Sequence, residues 1–281
     1  MLGLDMDVDG LLPVEETALL TVYARALDSR SGRSILRDTM ADDVVRKISF
    51  DFSGLGVSSS VVCLVALRAK MLDDRVRAFI DVHPDSVVVN LGAGLDSALF
   101  RVDPPATVDW YSVDLPAVIE LRDAVLPARN ASHSVAVSVA ESAWVDAVPA
   151  NRPTMVVADG LFHFLHESTV ADAFRRITEH FNSGMVAFND YGAIGKVNRL
   201  AKRITSHRQM FSTIHSQWAF EGFRDPHYPE SWASGLRLVE EASLLRQPEV
   251  TLFPPALRVG SRIGARFATI ASKARILRYR F

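Results

Sequence analysis

The sequence predicts an α/β fold built on a mostly parallel, doubly wound sheet. Two stretches carry that prediction. Val87 to Leu91 is a β-branched and apolar run, as expected of a parallel strand covered on both faces, and it ends in Gly92-Ala93-Gly94. Val108 to Val113 reads as a second strand and ends in Asp114, just before Leu115-Pro116. Further short apolar runs alternate with helical periodicity through Asn189, and parallel neighbours need helical crossovers.

In chain order, Glu15 to Arg30 follows Pro13, carries two glutamates in its first turn and has leucines and alanines at helical spacing. A polar turn, Ser29 to Ser34, leads to a second helix over Ile35 to Lys47. Both helices precede the first strand, so they are additions to the core that can cover a ligand or shape a pocket. Ser59 to Val82 is a long amphipathic helix with Val62, Val65, Leu72, Val76 and Phe79 toward the sheet, and Arg68 and Lys70 part-way along. A short helix can begin at Asp96 or Ser97. Ala117 to Leu126 then reads as a helix, His133 to Val139 as a strand and Glu141 to Val148 as a short helix. Thr154 to Ala158 is a buried strand ending at Asp159-Gly160, Glu167 to Phe181 a helix and Ser183 to Asn189 the fifth strand.

From Tyr191 the pattern changes. Ala193 to Met210 reads as a helix, and His207, His215, Trp218, Phe220, Phe223, His227, Tyr228 and Trp232 bring rings into a poorly periodic stretch. They can line a pocket for a planar or apolar ligand, or fill a secondary core. Gly235 to Leu245 reads as a strand, Pro255 to about Ala271 as a helix and Ala274 to Phe281 as a final strand. In that last helix Arg258, Arg262 and Arg266 share one face, a solvated one rather than the alternative of a nucleic-acid or membrane patch, while Leu257, Val259, Ile263, Phe267 and Ile270 serve the other. The chain divides into an N-terminal helical cap (1–58), a ligand-binding core (59–190), a pocket-lining insertion (191–234) and C-terminal strands and helix (235–281), all within one domain.

Length and composition narrow the function. The 281 residues suffice for one large domain with a substantial core, and a formal charge of −2 gives no overall field for nucleic acid. The single cysteine, Cys63, excludes an internal disulfide framework and suits a reducing cytosol. No apolar stretch approaches the roughly 20 residues that span a bilayer, and the opening MLGLDMDVDGLLP is wrong for a leader peptide. The expected protein is cytoplasmic, with neither a membrane nor a nucleic acid as partner, and is compatible with a homodimer. No Cys/His cluster has metal-ligand spacing.

The glycine turn and the spaced acid favour a nucleoside. Glycines leave room for a ligand against the backbone, and a carboxylate about 20 residues on, at the end of the neighbouring strand, can hold a ribose diol. A dinucleotide site would need a third glycine where Ser97 stands, and Asp96 puts negative charge where a pyrophosphate would lie. The turn therefore suits a cofactor without phosphates, of which S-adenosyl-L-methionine (SAM) is the common one; an ordinary tight βα turn is the bland alternative. Asp114, Glu141, Asp159 and Asp190 all sit at strand ends, where open α/β sheets bind ligands. Arg68 is either a solvated charge or a clamp for the methionine carboxylate.

The chain resembles the leucine carboxyl methyltransferase superfamily, and within it the bacterial O-methyltransferases of polyketide biosynthesis. Val89-Asn90-Leu91-Gly92-Ala93-Gly94-Leu95-Asp96-Ser97 is similar to that family's LGAGLDTR element, and Val113-Asp114-Leu115-Pro116 to its D-L-P or D-F-P element. Tyr23-Ala24-Arg25-Ala26, Leu36-Arg37-Asp38, Asp159-Gly160-Leu161, Trp232-Ala233-Ser234-Gly235-Leu236 and Arg275-Ile276-Leu277-Arg278-Tyr279 extend the likeness over nearly the whole chain. The resemblance implies a class I SAM-dependent methyltransferase fold, Rossmann-like, with a mostly parallel seven-stranded sheet, extra N-terminal helices and a substrate-lining insertion. It implies that Arg68 holds the cofactor carboxylate, Gly92 and Gly94 the methionine side, Asp114 the ribose, Glu141 the adenine region and Asp159 a place beside the cofactor. Leu91, Ala93, Asp96, Leu115 and Gly160 are counted with them. Ala98 and Phe164 depart from the family pattern, where arginine and tyrosine are usual.

Methyl transfer from a sulfonium asks mainly for alignment. A carboxylate acceptor is already ionised at neutral pH, whereas a phenol gains from a base or a positive neighbour. His163 is the first candidate base, with Tyr191, His207 and His215 behind it; a hydrogen-bonded core histidine is the plain alternative for His163. The function expected is O-methylation of a small-molecule acceptor. A protein carboxyl methyltransferase, a non-catalytic binding protein on the same fold, and a less favoured nicotinamide oxidoreductase are the rivals.

Overall fold

The computed structural model describes residues 16–192 and 218–281. Two helices, α1 (Glu16–Ser29) and α2 (Thr39–Lys47), come first, and the long α3 (Ser59–Val82) leads into the sheet. The strands are β1 (Val87–Leu91), β2 (Asp109–Asp114), β3 (Ser132–Ala136), β4 (Thr154–Ala158), β5 (Gly184–Asp190), β6 (Arg237–Ser243) and β7 (Arg275–Arg280). Between them lie α4 (Ala98–Val102), α5 (Pro116–Val125), α6 (Ala143–Asp146), α7 (Glu167–His180), α8 (Pro255–Gly264) and α9 (Ala268–Ala271). The predicted helix from Ala193 to Met210, with His207 and His215, lies outside the described residues.

The seven strands form one sheet in the order β3-β2-β1-β4-β5-β7-β6. The first five run parallel, and β7 is antiparallel to both β5 and β6. Chain order steps outward from β1 to β3 and then resumes on the other side at β4, so the switch point falls between β1 and β4, where open sheets leave a crevice. Register fixes what meets there. Leu91 is level with Val113 on β2 and with Ala158 on β4, so Gly92, Asp114 and Asp159 emerge side by side at the carboxyl edge.

Every residue of β1 and β4 is buried, as both faces of the sheet are covered. One face packs Val89, Leu91 and Val156 with Phe174, Phe188 and Trp144; the other packs Val88, Met155 and Ile276 with Leu67, Leu72 and Val76 of α3. A third cluster joins α1 and α2 through Leu19, Val22, Val44 and Val45 to Leu95 after β1 and Leu121 of α5. The cap thus packs directly on the segment that follows the glycine turn.

Several expected boundaries move for identifiable reasons. The second helix starts at Thr39 rather than Ile35, because Asp38 takes the Ala41 amide at 3.0 Å as an N-cap. β3 ends at Ala136 rather than Val139, since the Val137 amide turns back to the Val135 carbonyl. The C-terminal helix breaks into α8 and α9, and of its apolar face Leu257 packs on the core while the rest does not. Val259, Ile263, Phe267 and Ile270 are each about half exposed, while Ser261 and Gly264 are buried. A Cβ at Gly264 would come within 3.1 Å of Ile270 and 3.3 Å of Leu245, so contact is made through small residues.

Candidate functional site

A cavity of about 660 Å³ opens at the carboxyl edge of β1, β2 and β4, within the size range of small-molecule sites. α1 and α3 cover it through Thr17, Ala18, Leu20, Thr21, Val61, Leu64 and Val65, and its far wall carries His163, Phe164, Tyr191 and Trp218. Among the described residues, no helix is long and apolar enough to cross a membrane and no group of three His, Cys, Asp or Glu is set to hold a metal ion.

The turn after β1 is built on left-handed backbone. Gly92 has φ +64°, and a Cβ there would sit 2.9 Å from Leu161 Cδ1 and 3.0 Å from Leu161 Cβ, so a side chain is disfavoured on two grounds. The turn is held against its neighbour strand by Asp114, whose carboxylate accepts the Gly94 amide at 2.7 Å and the Leu115 amide at 2.7 Å. Asp114 and Leu115 both line the cavity.

Asp96, next on the loop, also faces the cavity. Arg101 lies 2.8 Å and Arg25 3.8 Å from its carboxylate. Burial works to raise its pKa, but Arg101 and Arg25 outweigh that and hold the carboxyl well below the ordinary range. It stays charged at neutral pH beside the position a pyrophosphate would need.

Across the crevice, Arg68 of α3 is buried, with Nε 2.8 Å from Asp159 Oδ1, and it donates Nη1 to the Tyr191 hydroxyl at 2.6 Å. Burial pushes the Arg68 pKa down, and Asp159 and Tyr191 more than reverse it. Burial raises the Asp159 carboxyl above its usual range against the opposing pull of Arg68. Gly160, at φ +78°, is the reason the guanidinium fits: a Cβ there would come 3.1 Å from Arg68 Nη2. The Gly160 amide is fixed in turn by Asn189 Oδ1 at 2.6 Å.

His163 is 2 % exposed and lies in a stack of rings. Its imidazole centroid is 4.6 Å from Trp218 and 4.8 Å from Tyr191, and Tyr191 and Trp218 stack at 5.3 Å. Its Nδ1 lies 3.2 Å from the Phe220 carbonyl, and its own carbonyl accepts the Ala219 and Phe220 amides at 2.9 and 3.2 Å. With Nδ1–H donated to that carbonyl, Nε2 carries the lone pair, the tautomer a base requires.

The structure gathers most of the residues picked out from the sequence. Arg68, Gly92, Ala93, Gly94, Asp96, Asp114, Leu115, Asp159, Gly160, His163 and Tyr191 all line one cavity, and Leu91 is the buried residue that leads into the turn. Two expected acids are elsewhere. Glu141 is exposed in the turn after β3, its carbonyl accepting from Arg176, and the cavity edge there is formed by Ser138 and Val139 instead. The early end of β3 causes this, because the chain turns away before residue 141. Asp190 is buried against Arg275 at 2.8 Å and accepts the Phe223 and Gly192 amides, so its capacity is spent on structure. Sequence reasoning passed over Asn90, Arg25 and Lys273, which also line the cavity. Asn90 had a signal, as the one polar residue inside β1; Arg25 had its place in the Tyr23-Ala24-Arg25-Ala26 element, and Lys273 only its charge.

These groups fit SAM. A side-chain-free turn, a carboxylate at the end of the adjacent strand and a buried guanidinium with Nη2 uncommitted among the described residues suit its methionine and ribose parts.

The profile of the family described as leucine carboxyl methyltransferase matches residues 18–178. The tetracenomycin polyketide synthesis O-methyltransferase TcmP of Streptomyces glaucescens is 37% identical over 274 residues, covering 96% of this chain and 98% of that protein. The S-adenosyl-L-methionine-dependent methyltransferase dpfgK of Gibberella zeae is 31% identical, covering 66% of this chain and 68% of that protein. Among solved structures, a Thermobifida fusca YX protein superposes with a TM-score of 0.55 at 15% identity, covering 92% of this chain and 93% of that one. A SAM-dependent methyltransferase of Anabaena variabilis gives 0.52 at 10%, covering 75% and 83%. Both carry the same fold. With family profile, full-length relative, sheet topology and glycine turn in agreement, the chain belongs to the leucine carboxyl methyltransferase family and is a SAM-dependent methyltransferase.

Proposed function

We propose that the chain transfers the methyl group of SAM to an oxygen of a small, planar, polyketide-type acceptor in the cytoplasm. The single observation that supports this most is the end-to-end likeness to TcmP. The ring wall of His163, Tyr191, Trp218 and Phe164 on the cavity is the structural counterpart, since flat apolar molecules stack on such surfaces.

SAM supplies a methyl group on a sulfonium, which makes that carbon an electrophile. The protein's part is placement. Arg68, Asp159 and the glycine turn would hold the methionine end, and Asp114 the ribose. The turn and α1 exclude water from one side, and the ring wall orients the acceptor on the other. An acceptor carboxylate needs no base; for a phenolic one the candidate base is His163, which lines the cavity with Nδ1 committed to the Phe220 carbonyl.

The test is calorimetry with SAM, followed by incubation with isotopically labelled SAM and a panel of aromatic polyketide carboxylic acids and phenols, read by mass spectrometry. Binding of SAM and label in a small molecule are expected. Absence of SAM binding, or label only in protein when cell extract is supplied, overturns the reading.

A further inference from the structure

The turn after β1 is held largely by the protein's own hydrogen bonds. The Gly92 and Ala93 amides donate to the Val113 carbonyl at 2.9 and 3.1 Å, the Gly94 amide to Asp114 at 2.7 Å and the Asp96 amide to the Ala93 carbonyl at 3.0 Å. The carbonyls on the following stretch go to two guanidiniums from different helices. Arg122 of α5 gives Nη1 to the Gly94 carbonyl at 3.0 Å and the Asp96 carbonyl at 2.6 Å, and Arg25 of α1 gives Nη2 to the Leu95 carbonyl at 3.0 Å. Three consecutive carbonyls are therefore held by side chains 5 % and 2 % exposed.

Burying a guanidinium is costly, and spending it on backbone carbonyls is a poor way to gain stability. Arg122 has no carboxylate within ion-pair distance among the described residues, which makes the arrangement harder to explain as a salt bridge. Arg25 is further fixed by Asp38 at 3.2 Å; Asp38 also accepts the Ser97 hydroxyl at 2.7 Å and pairs with Arg101 at 2.8 Å. That chain of contacts runs from the α2 N-terminus to the residue beside Asp96.

We infer that Arg122 and Arg25 are positioning residues for the cofactor turn. They hold the Gly94, Leu95 and Asp96 carbonyls so that the turn is preorganised for its ligand, which then has no ordering cost to meet on binding. On this basis α1 belongs to the cofactor site as well as covering the cavity. The inference rests on reading the cavity as the SAM site.

The experiment compares Arg122→Met, Arg122→Lys and Arg25→Met in the full chain, with Arg129→Met as control. Arg129 also gives its guanidinium to backbone carbonyls, of Leu99 at 3.3 Å and Pro104 at 2.9 Å, but outside the turn. Each variant is measured for SAM affinity by calorimetry and for amide hydrogen exchange over residues 92–99 without ligand. Arg122→Met and Arg25→Met are expected to weaken SAM binding about tenfold or more, the size of a lost charged hydrogen bond, and to speed exchange in the turn. Arg122→Lys recovers part of both, and Arg129→Met lowers unfolding stability while leaving affinity and turn exchange as in the wild type. Unchanged affinity in folded Arg122→Met, or an equal loss in Arg129→Met, overturns the inference. Should Arg122→Met fail to fold, Arg122→Lys and Arg25→Met decide on the same two readouts. If the wild type binds no SAM, the cofactor reading fails, and the exchange measurement separately shows whether the guanidiniums hold the turn.

Discussion

Replacing Arg68 by methionine isolates the pair on which the methionine side of the cavity depends. At 2.8 Å the Arg68–Asp159 attraction is about 6 kcal/mol for an effective dielectric of about 20, much of it offset by desolvation of both ions. The side chains are only 8 % and 12 % exposed, so solvent does little to screen them. Removing one partner leaves the other charged and buried, which costs about 3–5 kcal/mol. Asp159 already lies above the ordinary carboxylate range because of burial, and loss of Arg68 moves it higher. The folded state of the variant then binds a proton more tightly than the unfolded chain does, so its stability falls as pH rises through that window. Urea unfolding is therefore expected to show a larger deficit against the wild type at pH 8 than at pH 5. Arg68→Met with Asp159→Asn is expected to regain about 2 kcal/mol or more over Arg68→Met alone. A deficit independent of pH, or a double variant no better than the single, refutes the assignment of an ion pair to this role.

Gly92→Ala forces a side chain onto left-handed backbone, about 1–2 kcal/mol, and drives its Cβ into Leu161; SAM affinity measured by calorimetry falls, and Leu161→Ala in the same chain restores part of it. The Cys63 thiol, pushed up to about 11 by burial with Asp28 adding to it, is nearly all protonated at pH 8, so alkylation of the native protein rises about tenfold per pH unit between pH 7 and 10 with no plateau near pH 9. Ile263→Ser and Phe267→Ser, at half-exposed positions, shift urea-unfolding stability by no more than about 0.5 kcal/mol, whereas Leu244→Ala, 2 % exposed, costs about 2–5 kcal/mol.

The sheet was legible because its strands obey a rule that acts locally. A parallel strand covered on both faces must be apolar at every position, so β1 and β4 stand out without knowledge of their neighbours. The glycine turn was legible for the same kind of reason, since left-handed backbone disfavours a Cβ at the residue itself. Asp114 added only a spacing, and strand register converted it to adjacency. Arg25 gave no signal of this kind, because its partner, the Leu95 carbonyl, lies 70 residues away and any carbonyl looks alike in sequence.

The two misreadings share a cause. The resemblance puts Glu141 in the adenine region, but strand length is set by what the neighbouring strand offers. β2 ends at Asp114, paired with Ala136, and beyond it the chain turns into α5, leaving β3 without a partner past that point. In α8, periodicity located the apolar face and burial was assumed from it. Close approach to Leu245 requires Gly264 inward, with Ser261 buried on the same side, which turns Ile263 and Val259 out, so steric fit at short range overrides hydrophobic preference there. Both errors concern contacts between segments, where sequence periodicity says which face is apolar but not which face the neighbour can reach. The cofactor edge escaped that difficulty because backbone conformation and strand termini, rather than side-chain packing, define it.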